Sequence, residues 1–444
     1  MKRTLKLAVA AAVALTSTAA FATNGDNLIG LGAKSRAMGG TGAAHYNGAE
    51  SATSNPALIT KSKGTQFTFG GTYFRPDVEV SKVGADLDGP GPSPAISDSY
   101  QSDAKHNIIP YVALTENLGN GFALGASMFG SAGMGTDWRR SGAQSFATGD
   151  AGLYGMRSNL LLLKFSVPVA YGQDNWSVGI APVIMYGSLD ISFNSQARNN
   201  VGTPLFNPNG SPIIVDIGNG SSSSFGLGYE AGASYTVPQA GLTLGATYHS
   251  PIGMEYKDQI SSAGLAFGFG AGGASAAMSD KLEQPAEYGL GIDWTQGDIS
   301  VTADWKNIRW GDADGYKSFG WENQHVYALG LEYRMDKLAL RTGYNYGKNP
   351  IANNKNANTV TGAPNTNTIG DTMNAFNHVM FPAVTERHYT VGAGYQFSKN
   401  VGADFAVTYA TSPDVTVSAA TVGLGNITVT NDQIAASANL NYSF

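Results

Sequence analysis

The chain ends in a strict two-residue alternation. Ile434, Ala436, Ala438, Leu440, Tyr442 and Phe444 fall on one side of an extended segment, and Gln433, Ala435, Ser437, Asn439, Asn441 and Ser443 on the other. One face of such a strand can meet hydrocarbon while the other meets a polar lumen, as a closed transmembrane barrel demands. A soluble sandwich strand alternates in the same way, so the pattern alone does not decide. Short turns divide the rest of the chain: 117–121, 172–175, 238–241, 295–298, 335–337 and 398–400. Most carry residues that favour turns or tolerate positive φ. Six hairpins make twelve strands; a strand at 66–75, with Phe67, Phe69 and Tyr73 alternating, and the terminal strand bring the number to fourteen. The expected fold is therefore all-β, a 14-stranded antiparallel transmembrane β-barrel.

The other end of the chain decides for the membrane. Lys2, Arg3 and Lys6 precede an apolar run from Leu7 to Leu15 and a small-residue stretch ending Ala20-Phe21-Ala22. This fits a signal peptide over 1–22 with the mature protein starting at Thr23. Beyond it no run of 18 or more apolar residues exists, so no helix is long enough to span a ~30 Å core. An exported chain with strand periodicity enters a membrane as a closed barrel, which places it in the outer membrane of a Gram-negative cell.

Composition narrows the chemistry. Charged residues are 14%, with 57 Gly, 21 Tyr and 19 Phe, while the mean hydropathy is only −0.13, as when lipid-facing and lumen-facing residues cancel. With no cysteine there is no disulfide framework, thiol nucleophile or Cys-type metal site. A net charge of −6 without a basic patch argues against nucleic acid. The histidines His45, His106, His249, His325, His378 and His388 sit in no catalytic motif, so no enzyme activity and no cofactor are expected.

Seven connections are long: about 76–105, 131–158, 192–222, 257–283, 309–321, 349–384 and 411–429. Most read as solvated outer loops, including the Asn/Thr-rich stretch 352–368. Two are apolar. The first contains Met134, Trp138, Phe146, Leu153, Tyr154 and Met156, and the second Leu265, Phe267, Phe269 and Met278. Such loops either pack together as a lid or form a capture groove for an apolar solute. The segment 23–64 lacks alternation and is too short for a separate domain. Its expected place is inside the barrel, 65–444, as a hatch that closes an otherwise open lumen. Its glycines lack the strand and helix context of a phosphate loop.

Within that segment, the run from Gly30 to Gly42 followed by Asn55-Pro56-Ala57 resembles the hatch of the FadL family of outer-membrane long-chain fatty acid transporters. Further similarity lies in Ser250-Pro251-Ile252-Gly253-Met254, Pro285-Ala286-Glu287-Tyr288-Gly289-Leu290-Gly291, Leu340-Arg341-Thr342-Gly343-Tyr344 and Tyr442-Ser443-Phe444, so it covers the mature chain. The resemblance implies a hatch-plugged barrel and passive uptake of hydrophobic solutes captured by the outer loops on the lipopolysaccharide side. Release is implied to be sideways, through a gap at a kink in strand three. Here that strand, about 122–131, carries Gly125 and Gly130, and glycine within a strand marks a bend.

A fatty carboxylate leaving water needs a cation or several donors. The resemblance places Lys317 near the family's pocket-facing lysine. The family's second basic residue, on strand five, has no counterpart in Met185-Tyr186-Gly187-Ser188-Leu189-Asp190, and this departure raises neutral aromatic or alkane hydrocarbons as the alternative cargo. Leu28 and Ile29 stand where the family more often has an aromatic and are the expected plug of the pocket. Trp138, Phe267 and Phe269 are the expected ligand contacts in the outer loops, where Arg139, Arg140 and Arg157 offer charge to lipopolysaccharide. Phe444 is the expected signal for the barrel assembly machinery, and the barrel is expected to act as a monomer. A general diffusion porin is the rival reading, but it would narrow an open lumen with an inward-folded loop instead of starting with a hatch.

Overall fold

The computed structural model describes residues 23–83, 99–139, 155–197, 205–211, 213–267, 269, 277–353, 368–419 and 425–444. The expected signal peptide, Arg140, Phe146, Leu153, Tyr154 and most of 352–368 lie outside them. Among the described residues fourteen antiparallel strands form one closed wall. They are β1 (Thr65–Val83), β2 (Asn107–Gly119), β3 (Phe122–Asp137), β4 (Arg157–Ser166 and Val169–Gln173) and β5 (Trp176–Gln196). Next come β6 (Ser222–Val237), β7 (Leu242–His249), β8 (Glu287–Gln296), β9 (Ile299–Ile308) and β10 (Gln324–Met335). The last four are β11 (Leu338–Gly347), β12 (Arg387–Gln396), β13 (Val401–Thr411) and β14 (Gly425–Ser443). The circle closes where β14 pairs with β1, from Ser443↔Gln66 to Asn426↔Val83.

The alternation works as the sequence requires. On β10, Tyr327, Leu329, Leu331 and Tyr333 point outward and are exposed, while Val326 and Ala328 are buried inside. All six short turns form, and Asn120, Asp174, Asp336, Gly241 and Gly297 take the positive φ that such turns need. The strands run further than the alternation suggested. The first strand, expected at 66–75, reaches Val83, and β3 reaches Asp137, so Met134 belongs to the wall and not to a loop. The extra length is polar or mixed, and a transmembrane pattern cannot reveal strand that continues beyond the hydrocarbon.

Residues 23–62 lie inside the wall and bond to strands all round it. Asp304 on β9 accepts the Gly42 and Ala43 amides at 2.8 and 2.9 Å. Asn345 on β11 donates to the Gly39 carbonyl at 3.0 Å, and Thr390 on β12 accepts the Gly39 amide at 3.0 Å. Asn439 on β14 donates to Glu50 at 2.6 Å. The wall must be bare where this segment touches it. A Cβ on Gly245 would fall 1.9 Å from the Ala43 carbonyl oxygen, and one on Gly343 would fall 2.2 Å from the Gly39 amide.

Asn55, Pro56 and Ala57 act as a bracket. Asn55 Nδ2 donates to the Ala43 carbonyl at 2.6 Å and to the Ala233 carbonyl of β6 at 3.2 Å, and its Oδ1 accepts the Ala57 amide at 3.0 Å. Pro56 opens the 3₁₀ turn Pro56–Lys61, where a missing N–H costs nothing. Glu50 is fully buried, and burial raises its carboxyl to about 7 despite the Lys34 charge and the Lys34 and Ser35 amides that favour ionisation.

Asn55→Ala leaves these backbone groups without partners, at roughly 1–3 kcal/mol for each buried one. The expected result is a loosened segment in an intact barrel, read as a larger single-channel conductance in planar bilayers. A conductance equal to wild type in a correctly folded barrel would contradict the bracketing role.

Candidate functional site

The wall is not paired everywhere. β2 and β3 pair from Gly119↔Phe122 up to Tyr111↔Phe129 and then separate, while β2 stays on β1 as far as Asn107↔Phe74. They meet again only at the top, where the Asp103 amide donates to the Asp137 carbonyl at 2.8 Å. Pro110 stands at the branch point and brings no amide N–H to either neighbour. A Cβ on Gly130 would fall 2.6 Å from Cγ2 of Ile109, so glycine is required there. On its other edge β3 slips by one residue against β4 between Gly130 and Ala132, a bulge at Ser131. Gly125, lower on β3, donates its amide to the Pro168 carbonyl at 2.8 Å, between the two halves of β4.

The N-terminus fills the split. A two-residue hairpin, Thr23–Asn24 with Asn27–Leu28, sets Asn27 opposite Ala132, and the Asp26 carbonyl accepts the Gly133 amide at 3.1 Å. Leu28 packs against Phe74, Ile109 and Ala435 behind the split. Ile29 is buried deeper in the segment. Behind Leu28 lies a chamber of about 90 Å³ lined by Phe129, Ser131, Gln284 and the ion-paired Lys164 and Lys306. Lys164 meets Glu230 at 3.0 Å and Lys306 meets Glu287 at 3.2 Å.

Above the plug is an apolar body. Strands β3 to β5 give Met134, Leu160 and Leu189; the loop after β9 gives Tyr316, Phe319 and Trp321; Phe381 follows the helix Thr368–Ala375 and its π-helical turn Phe376–Met380. Together they line an apolar cavity that these side chains nearly fill, leaving about 10 Å³ open. The polar groups of its lining side chains are the Tyr316 hydroxyl, the Trp321 indole N–H and Asn377, and among the described residues no cation lines it. Tyr316 forms a triangle of tilted rings with Trp310 and Trp321, its centroid at 4.7 and 4.8 Å from theirs.

Trp138, Phe267 and Phe269 join this apolar body without lining the cavity. Trp138 is fully buried and donates its indole N–H to the Val379 carbonyl at 2.9 Å. Phe267 packs on Phe193 and Phe376 at 5.1 and 5.9 Å, and Phe269 is buried in the same cluster. Lys317 is elsewhere. Its side chain is 48% exposed and its ammonium is held by Asp314 three residues before it, so the expected pocket-facing cation is a surface residue. Arg157 is likewise neutralised on the wall by Asp190, the residue that stands in the strand-five stretch noted above. Sequence reasoning passed over Tyr316, Phe319, Trp321 and Phe381. The available signal was the density of aromatics in 316–321 and 376–381, within loops read as solvated.

Asp26 ties the cavity to the split. It is fully buried; Tyr316 donates its hydroxyl to Oδ2, and Gln284 donates to the same oxygen at 3.2 Å. Burial outweighs these bonds and raises the Asp26 carboxyl to about 6. The Tyr316 phenol is pushed well above its ordinary value by burial and the Asp26 charge.

Known proteins locate this arrangement. Residues 8–369 match the model of the family described as outer membrane protein transport protein (OMPP1/FadL/TodX). The chain belongs to that family. Among its relatives, the long-chain fatty acid transport protein of Escherichia coli O6:H1 is 26% identical over 388 residues, covering 79% of this chain and 83% of the relative. Outer membrane protein P1 of Haemophilus influenzae is 25% identical over 422 residues, 86% of this chain and 83% of the relative. The P. putida toluene transporter TodX shares the fold with a TM-score of 0.67 at 19% identity, over 94% of this chain and 99% of that one. A Pseudomonas aeruginosa FadL homologue gives 0.65 at 18%, over 95% and 100%. A member of the OMPP1/FadL/TodX family built as this barrel resides in the outer membrane, and the family's members are transport channels.

Docking of the N-terminal hairpin has a calculable pH dependence. With an undocked carboxyl at 3.8 and a docked one at about 6, docking is fully favoured below 3.8 and weakens as pH rises through 6, by roughly 3 kcal/mol in all. Amide exchange of residues 23–28 is expected to slow at pH 5 relative to pH 8, after correction for intrinsic rates, and Asp26→Asn is expected to abolish the difference. A pH-independent protection in the wild type would contradict this.

Proposed function

We propose that this barrel carries neutral hydrophobic compounds passively across the outer membrane, from the apolar cavity under the outer loops to the split between β2 and β3, and so sideways into the lipid. The observation that carries the reading is the pairing of a cation-free cavity with a wall that opens behind a plugged lumen. An apolar solute loses roughly 25 cal/mol per Å² of buried surface on returning to water, so a lateral exit into hydrocarbon is the cheaper path. The polar plug closes the axial one. Leu28 and Ile29 keep the exit shut from inside. The apolar outer loops capture the solute on the lipopolysaccharide side, and Phe444, exposed at the end of β14, marks the barrel for assembly as a monomer.

Long-chain fatty acids are the second reading, favoured by the name of the Escherichia coli relative. In this chain Lys317, the expected partner of their carboxylate, faces solvent, and among the described residues no cation lines the cavity. Equilibrium binding of radiolabelled toluene and oleate to the purified barrel separates the two. Saturable toluene binding is expected, about tenfold weaker in Leu189→Asn, which brings an unpaired amide into the cavity, and unchanged in Lys317→Ala. Oleate binding that is tighter than toluene binding and is lost in Lys317→Ala would establish the fatty acid reading instead.

A further inference from the structure

Asp26 occupies the partition between the two spaces. Tyr316, one of its donors, lines the apolar cavity, and Gln284, the other, lines the chamber behind the split. Its own backbone carbonyl holds Gly133 on β3. A solute that leaves the cavity for the split therefore passes this carboxyl.

The carboxyl is electrically uncompensated. Its side-chain donors, Tyr316 and Gln284, are neutral and both serve Oδ2; Oδ1 is buried with no hydrogen-bond partner. Among the described residues no ion pair includes Asp26. The nearest candidates in the chamber, Lys164 and Lys306, are already engaged by Glu230 and Glu287. A second negative charge brought beside a buried, unpaired carboxylate is strongly disfavoured, whereas a neutral solute escapes that repulsion.

We propose that Asp26 is a specificity residue of the transport route, a fixed negative charge that turns back anionic amphiphiles and lets neutral ones of the same chain length pass. With its carboxyl at about 6, the charge is present at neutral pH. The inference rests on the proposed passage from cavity to split and adds to it the reason that carboxylates are refused.

The test uses two solutes that differ in charge alone, dodecanol and dodecanoate. Initial uptake of each, radiolabelled, is measured at pH 7.5 in cells deleted for their own outer-membrane fatty acid transporter and expressing the full-length barrel. Folding is checked by the heat-dependent mobility of the barrel. Wild type is expected to raise dodecanol uptake well above the vector control and leave dodecanoate near it. Asp26→Asn and Asp26→Ser should each raise the ratio of dodecanoate to dodecanol uptake at least fivefold, and Asp26→Glu should keep the wild-type ratio. If both charge-free variants fold, carry dodecanol and still refuse dodecanoate, the filter is overturned and the transport reading stands. Failure of the wild type to carry dodecanol would overturn the neutral-solute reading, and the filter with it.

Discussion

Backbone hydrogen bonding is the constraint from which the rest of this structure follows. In hydrocarbon every amide and carbonyl must find a partner within the protein, so a wall of strands has to close on itself. Here β14 meets β1 along the full length of both, from Gln66 to Val83 on β1. Among the described residues, β2 and β3 part above Phe129, and there the wall has to be supplied from elsewhere. The N-terminal hairpin supplies it, with Asn27 set against Ala132 and the Asp26 carbonyl on Gly133. A break in the wall and the element that masks it are thus one device.

The same constraint separates the interior into two kinds of space. The plug is held by polar side chains of the wall, with Asp304, Asn345, Thr390 and Asn439 each reaching a backbone or carboxylate group of residues 39–50. Above it the side chains are apolar, and the loops that cap the barrel bring Trp321, Phe319, Phe376 and Phe381 down onto β3 to β5. An apolar solute is held on the dry side and barred from the wet one. The two spaces meet where Tyr316 and Gln284 bond to each other and to Asp26.

The sequence made the wall legible because a period of two is enforced by lipid on one side and water on the other. The turns were legible because Asn120, Asp174 and Asp336 hold backbone conformations few residues accept. Asn55-Pro56-Ala57 stood out as a unit, and its three hydrogen bonds explain why those residue types sit there. The strand ends were hidden, since above the hydrocarbon no solvent contrast marks them. Lys317 looked like a pocket residue along the chain, yet an i, i+3 partner, Asp314, holds it at the surface. The cavity itself was out of reach, because its walls come from segments as far apart as Met134 and Phe381, and an isolated Asp26 near a glycine reads as ordinary loop.

The lateral route is tested most directly by restoring the wall. Deleting Ser131 removes the bulge in β3 beside the split, and uptake of labelled toluene by cells expressing the variant can be compared with toluene binding to the purified barrel. Uptake falling to the vector level while binding is retained is the expected result. Uptake at the wild-type rate from a folded barrel whose β2 and β3 are fully paired would mean that the solute leaves by another path.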